Sequence, residues 1–175
     1  MRIFINFYFL LYSWQSFQSE LGEWEGAARC ETSQFVMIAM AKSKEEKIRH
    51  AIAALVEKGN LGIVEETFAA DYVAHAGEKE YRGHAFIKRF AKQLRTAIPD
   101  MRVVDVKFLA QDGSTIVWQR TFRGTHKVKM QGIPPSGKKV KWVEMVVTRF
   151  HKEKIAEEWV VSELMGELLL RVPRR

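Results

Sequence analysis

The chain has 175 residues, 47% hydrophobic and 28% charged, with a net charge of +7. That length suits one domain, and the apolar share supports a real core in a soluble protein. The single cysteine, Cys30, excludes an internal disulfide and fits a reducing cytoplasm. The five histidines show no H-x-x-x-H or Cys/His spacing, which argues against zinc.

Residues 1–39 read as foreign to the rest of the chain. Ile3–Tyr12 is apolar and preceded by Arg2, like a secretory leader, yet it is too short to span a bilayer. No convincing small-x-small cleavage site comes after it. The expectation is an upstream extension, with Met37 or Met40 as the natural start; a cleaved leader is the alternative. The domain is expected over 40–175, opened by a capping box of Ser43 and Glu46.

Lys44–Lys58 places Ile48, Ile52, Leu55 and Val56 on one helical face. Gly59 is a helix terminator, and Asn60 caps a short second helix carrying Leu61, Val64 and Phe68. A turn or short strand is expected at Asp71–His75 and a polar loop at Gly77–Gly83. A third helix over about His84–Ala97 places Phe86, Phe90 and Leu94 four apart, and Pro99 ends it.

The period then changes to two. Met101–Ala110 carries Val104, Val106 and Phe108 on one side. Asp112-Gly113 is a hairpin signal. Thr115–Lys129 is a long strand with Ile116, Trp118 and Phe122 on one side. Gly132–Gly137, with two prolines and two glycines, is a loop. Lys139–Phe150 and Ile155–Glu163 are the last strands, and Leu164–Leu170 is an apolar tail. Three helices and then four long antiparallel strands define α+β architecture. The expected form is a cone-shaped, curved antiparallel sheet, with the three N-terminal helices on its concave face enclosing a pocket.

Gly132–Lys139, GIPPSGKK, nearly satisfies a phosphate-loop pattern. Lys139 replaces the magnesium-binding hydroxyl, and Pro134 and Pro135 lack the amide hydrogens a phosphate cradle requires. The loop also leads into a strand rather than a helix. The basic residues Arg123, Lys127, Lys129, Lys138, Lys139 and Lys141 mostly alternate with apolar neighbours, as on a solvated strand face. A nucleic-acid stripe with exposed aromatics is not expected.

Several segments together resemble one family. They are Phe68-Ala69-Ala70-Asp71-Tyr72-Val73-Ala74-His75, Tyr81-Arg82-Gly83, Gly124-Thr125-His126, Gly132-Ile133-Pro134-Pro135-Ser136-Gly137-Lys138 and Lys154-Ile155-Ala156-Glu157-Glu158-Trp159. Their order and spacing resemble the SnoaL-like polyketide cyclases (ester cyclases) of the nuclear transport factor 2-like group. The resemblance implies a pocket for a small hydrophobic carbonyl compound, chemistry without metal or organic cofactor, and homodimerisation through the open sheet face. No nucleic-acid or membrane partner is expected. It places the family's acid/base Asp at Val160 and a catalytic His at Val146, so both titratable groups are missing here.

Other residues are candidates for that chemistry. Glu158 is two residues from Val160 and shares its strand face. Facing the pocket, it would be a carboxylate with a raised pKa and a general base; the alternative is a rim charge paired with a Lys. His75 is the second catalytic candidate, with a hydrogen-bonding spacer as its alternative role. Glu144 stands between Trp142 and Val146, and Arg120 between Trp118 and Phe122. Both facing inward, Arg120 and Glu144 would form a buried ion pair or hold a substrate oxygen. Trp118, Trp142, Val146 and Val160 complete the expected substrate wall, and His126 reads as structural or rim. Two functions compete: a cofactor-independent cyclase or isomerase, and a non-catalytic ligand-binding or dimerisation module of the same fold.

Overall fold

A computed structural model describes residues 44–171. The extension expected over 1–39, with Cys30, lies outside the described residues, as does the Ser43 half of the capping box. Helix α1 covers 44–52 and turns Ile48, Ala51 and Ile52 inward. It widens into a π-helical turn, Ala53–Glu57, where Lys58 N–H donates to Ala53 O at 3.1 Å. Gly59 ends it at φ +68°, a region glycine enters without steric cost. Asn60 Oδ1 accepts the Gly62 N–H at 3.0 Å and steers the chain into α2 (Ile63–Thr67).

Phe68, expected inside that helix, instead opens strand β1 (Phe68–Ala76) and pairs with Ile155. A five-residue helix has little cohesion of its own, so sheet pairing decides where it stops. The expected polar loop is largely strand β2 (Lys79–Arg82), a hairpin partner of β1 turned at Gly77. Helix α3 (Gly83–Ala97) buries Ile87, Ala91 and Leu94. Strands β3 (Arg102–Asp112), β4 (Thr115–Thr125), β5 (Lys139–His151) and β6 (Lys154–Ser162) come next. The apolar tail is helix α4 (Leu164–Leu170), with Leu164 and Leu168 buried against the sheet.

The sheet has six strands in the order β2-β1-β6-β5-β4-β3 and is not closed. The four long strands form the expected antiparallel run. The β1–β6 contact is parallel, however, which corrects the all-antiparallel expectation. A parallel pair needs a long connection, and the intervening chain supplies it. Register shifts interrupt β3–β4, β5–β6 and β1–β6. Such bulges bend a sheet and raise its twist. The bulge at Val103/Asp105 also turns Val104 outward, 48% exposed, while Val103 packs on the core. The inner face carries Trp118, Phe122, Trp142, Val146 and Ile155 against Ile48 and Leu94 of the helices. Among the described residues no helix is long and apolar enough to cross a membrane.

β4 stops at Thr125 rather than Lys129. There Asp100 accepts hydrogen bonds from Thr125 N–H at 2.7 Å and from its hydroxyl at 2.8 Å, and the chain leaves the sheet. Gly124 permits the crossing: an added Cβ would lie 2.2 Å from Ile98 Cγ2 and 3.1 Å from Met101 Cα. The second neighbour is backbone and cannot rotate away. Overpacking of this kind costs about 1–3 kcal/mol. Gly124→Ala is expected to lose that stability in urea unfolding, and an unchanged midpoint would disprove the close approach.

Candidate active site

Between the inner sheet face and the helices lies a cavity of about 440 Å³. Its wall is mainly apolar, with Ile52, Leu55, Phe68, Phe86, Leu94 and Met165 among the contributors. Tyr72, Arg120, Glu144, Glu158 and Ser162 bring polar groups into it. Strand alternation puts them there. On β5 the even positions from Val140 to Phe150 are buried, and Arg120 on β4 sits opposite Glu144 in the register. Glu158 on β6 pairs with Thr148 of β5 on one side and Ala74 of β1 on the other.

The two carboxylates have different surroundings. Glu144 Oε2 accepts from Arg120 Nε at 2.7 Å and forms an ion pair with Nη2 at 2.7 Å. Its Oε1 accepts from Ser162 Oγ at 2.8 Å and Trp142 Nε1 at 3.2 Å. Among the described residues three hydrogen bonds and the Arg120 ion pair engage both oxygens, so Glu144 is a fixed counter-ion rather than a base. Among the described residues Glu158 accepts two hydrogen bonds, from Tyr72 Oη at 2.8 Å and Thr148 Oγ1 at 2.9 Å. Burial pushes its pKa above the usual carboxylate value; Arg120 and the two hydroxyls oppose that shift, and the Glu144 charge adds to it. The two acids thus differ in their hydrogen-bond partners, which points to a division of roles.

Arg120 is gripped between the rings of Trp118 and Phe122, each 5.2 Å from its guanidinium carbon. Burial alone would lower its pKa, but Glu144 and Glu158 outweigh it and the net direction is upward. Its Nη1 has no protein partner among the described residues, so it has donors to spare for a ligand oxygen. The Tyr72 hydroxyl is held well above its ordinary pKa, first by burial and then by the Glu158 charge, and is a neutral donor.

His75 does not join this group. It is next to Ala74, the register partner of inward-facing Glu158, so its imidazole occupies the opposite face. There Nε2 lies 2.7 Å from Glu157 Oε1, and the ring stacks on Trp159 at 4.8 Å. Arg149 pairs with Glu157 and covers the same indole. His75 touches the cavity rim, but this outer cluster, and not Glu158, holds its ring. Trp142 and Val146 also differ from expectation. Both are buried on the inner face but are not among the residues that line the cavity. Trp118, Arg120, Glu144 and Val160 do line it. His126 is fully buried outside the lining, with neither ring nitrogen hydrogen-bonded among the described residues.

The expected site did not include Tyr72, Thr148 and Ser162. The last two were findable, because each is four residues beyond an inward-facing glutamate on its strand. Tyr72 was not, because its partner is 86 residues away across a parallel pairing.

An open, bulged sheet with helices over one face and an apolar cavity between them is the nuclear transport factor 2-like fold. Within it, the chain belongs to the SnoaL-like polyketide cyclase family, whose model matches residues 46–169. Comparison with curated proteins found no match. Among solved structures, it is similar to a candidate polyketide cyclase from Acidithiobacillus ferrooxidans (TM-score 0.63, 24% identity, 74% of this chain and 94% of that one). IdmH, a candidate polyketide cyclase from Streptomyces antibioticus, gives a TM-score of 0.57 at 25% identity, over 71% of this chain and 96% of that one. An NTF2-like protein of unknown function from Burkholderia pseudomallei gives 0.60 at 18% identity, over 75% and 98%.

Proposed function

We propose that the domain binds a small hydrophobic carbonyl compound in its cavity and moves a proton next to the carbonyl, as a cofactor-independent cyclase or isomerase. The observation that carries this reading is Glu158, a buried carboxylate of raised pKa at the cavity wall beside the partly buried Arg120. Glu158 takes the proton from carbon, the C–H pair forms a C=C bond, and the carbonyl π pair moves onto the oxygen. The spare donors of Arg120 and the hydroxyl of Tyr72 stabilise that oxygen as its charge develops. Glu144 keeps Arg120 in place. The test is exchange of protons alpha to the carbonyl of a bicyclic ketone such as tetralone, in heavy water. Exchange above the buffer rate supports the reading, and its absence with ketone demonstrably bound sinks it.

A second reading is a non-catalytic ligand-binding module. Val146 and Val160 favour it: they pair directly in the β5–β6 register, at the positions where the resemblance expects His and Asp. Binding of the ketone without exchange would select it. The outer sheet face is proposed as a homodimer surface in a cytoplasmic protein. Trp159 is 37% and Val161 73% exposed there. Sedimentation of the chain should give a dimer that Val161→Glu weakens; a monomer at every concentration would end that proposal.

A further inference from the structure

We propose that Trp118 and Thr148 form a positioning relay that fixes the hydrogen-bond polarity at Glu158 and reserves Oε2 for the moving proton; this rests on the reading of Glu158 as the base. Trp118 Nε1 lies 2.8 Å from Thr148 Oγ1, which lies 2.9 Å from Glu158 Oε1. An indole N–H can only donate, and a threonine hydroxyl has one proton. Trp118 therefore occupies an acceptor position on Thr148. The Thr148 proton then has Glu158 Oε1 as its partner among the described residues. Thr148 is fully buried and Trp118 is 1% exposed, so a hydroxyl turned elsewhere would be unpaired.

A proton on Glu158 Oε1 would collide with the one Thr148 presents. On Oε2 the neighbour is Tyr72 Oη, at 2.8 Å, and Tyr72 lines the cavity. When Oε2 receives the substrate proton, it can donate to Tyr72 Oη, and the Tyr72 proton turns to the developing enolate oxygen. The C–H electron pair becomes the C=C bond of the enolate, the carbonyl π pair ends on that oxygen, and no other reactant is needed. The groups facing Glu158 are Tyr72 from β1, Arg120 from β4, and Glu144 and Thr148 from β5. Of the two hydroxyls, Thr148 is held as a donor by a further side chain, and Tyr72 has no such second partner among the described residues.

The test is a carbon-13 titration of the glutamate carboxyls in the full chain, with Glu158→Gln assigning the resonance. Loss of a hydrogen bond that favours the charged form raises a carboxyl pKa. Thr148→Val should therefore move the Glu158 midpoint up by about one unit, a roughly tenfold change in proton affinity. Trp118→Phe should move it the same way by less, and Thr148→Ser should restore it. The acid limb of the exchange rate should track the same order. The relay is overturned if Thr148→Val titrates like the parent, or if Thr148→Ser shifts as far as the valine. If Thr148→Val does not fold, an unmoved midpoint in Trp118→Phe overturns it. A shifted carboxyl together with exchange that ignores Glu158→Gln would support the polarity lock and remove the base reading.

Discussion

Glu158→Gln should slow exchange alpha to a bound ketone by about 10²–10⁴-fold, the usual contribution of a general base, while ketone affinity stays close to the parent. The amide has the carboxylate's shape: its oxygen can still accept from Thr148, and its NH2 can donate to the Tyr72 hydroxyl, which is free to turn. The parent should also show an acid limb above the ordinary glutamate range, because burial raises the Glu158 pKa. The same shift makes a stability prediction. The folded chain holds the Glu158 proton more tightly than the unfolded chain does. Between the unfolded glutamate pKa and the raised folded value, the native state therefore binds more protons, and stability falls as pH rises. Its contribution is greatest at acid pH and is lost through that window. Glu158→Gln has no charge to bury, so its melting temperature should exceed the parent's at alkaline pH and converge with it at acid pH. Equal melting temperatures at alkaline pH would show that Glu158 is not strained by burial. Exchange as fast as the parent's would remove it as the base.

Arg120→Met should destabilise the fold by about 3–5 kcal/mol at neutral pH, the cost of leaving one partner of a buried ion pair uncompensated. The stranded group is Glu144, 5% exposed and bonded to Arg120 through two nitrogens. Trp142 and Ser162 would still donate to it, but neither carries charge. The double variant Arg120→Met with Glu144→Gln should recover most of the loss, because a neutral side chain at 144 needs no counter-ion. Urea unfolding of the four corners of the cycle gives the coupling directly. A single variant within 1 kcal/mol of the parent would mean that Glu144 is already neutral or solvated. The double variant, even if stable, should lose exchange, since no cation remains to meet the developing oxygen charge.

The long strands, and the faces they turn inward, were legible in the chain alone. Side chains alternate strictly along β4 and β5, so placing Trp118 and Trp142 in the core also put Arg120 and Glu144 on the inner side, and one register joined them. The same rule put Glu158 on the face of Val160. Which distant segments meet was settled only by the assembled sheet. Nothing local indicates that β1 docks parallel to β6, yet that pairing brings Tyr72 to Glu158 and turns His75 away to Glu157 and Trp159. Bulges had the same effect on a smaller scale: one extra residue reversed Val104, because a period of two has no tolerance for an odd insertion. Which of the two inward acids is a fixed counter-ion and which can take a proton depends on how many donors converge on each. Those donors come from strands far apart in the chain, so the choice between Glu144 and Glu158 exists only once tertiary pairing is complete.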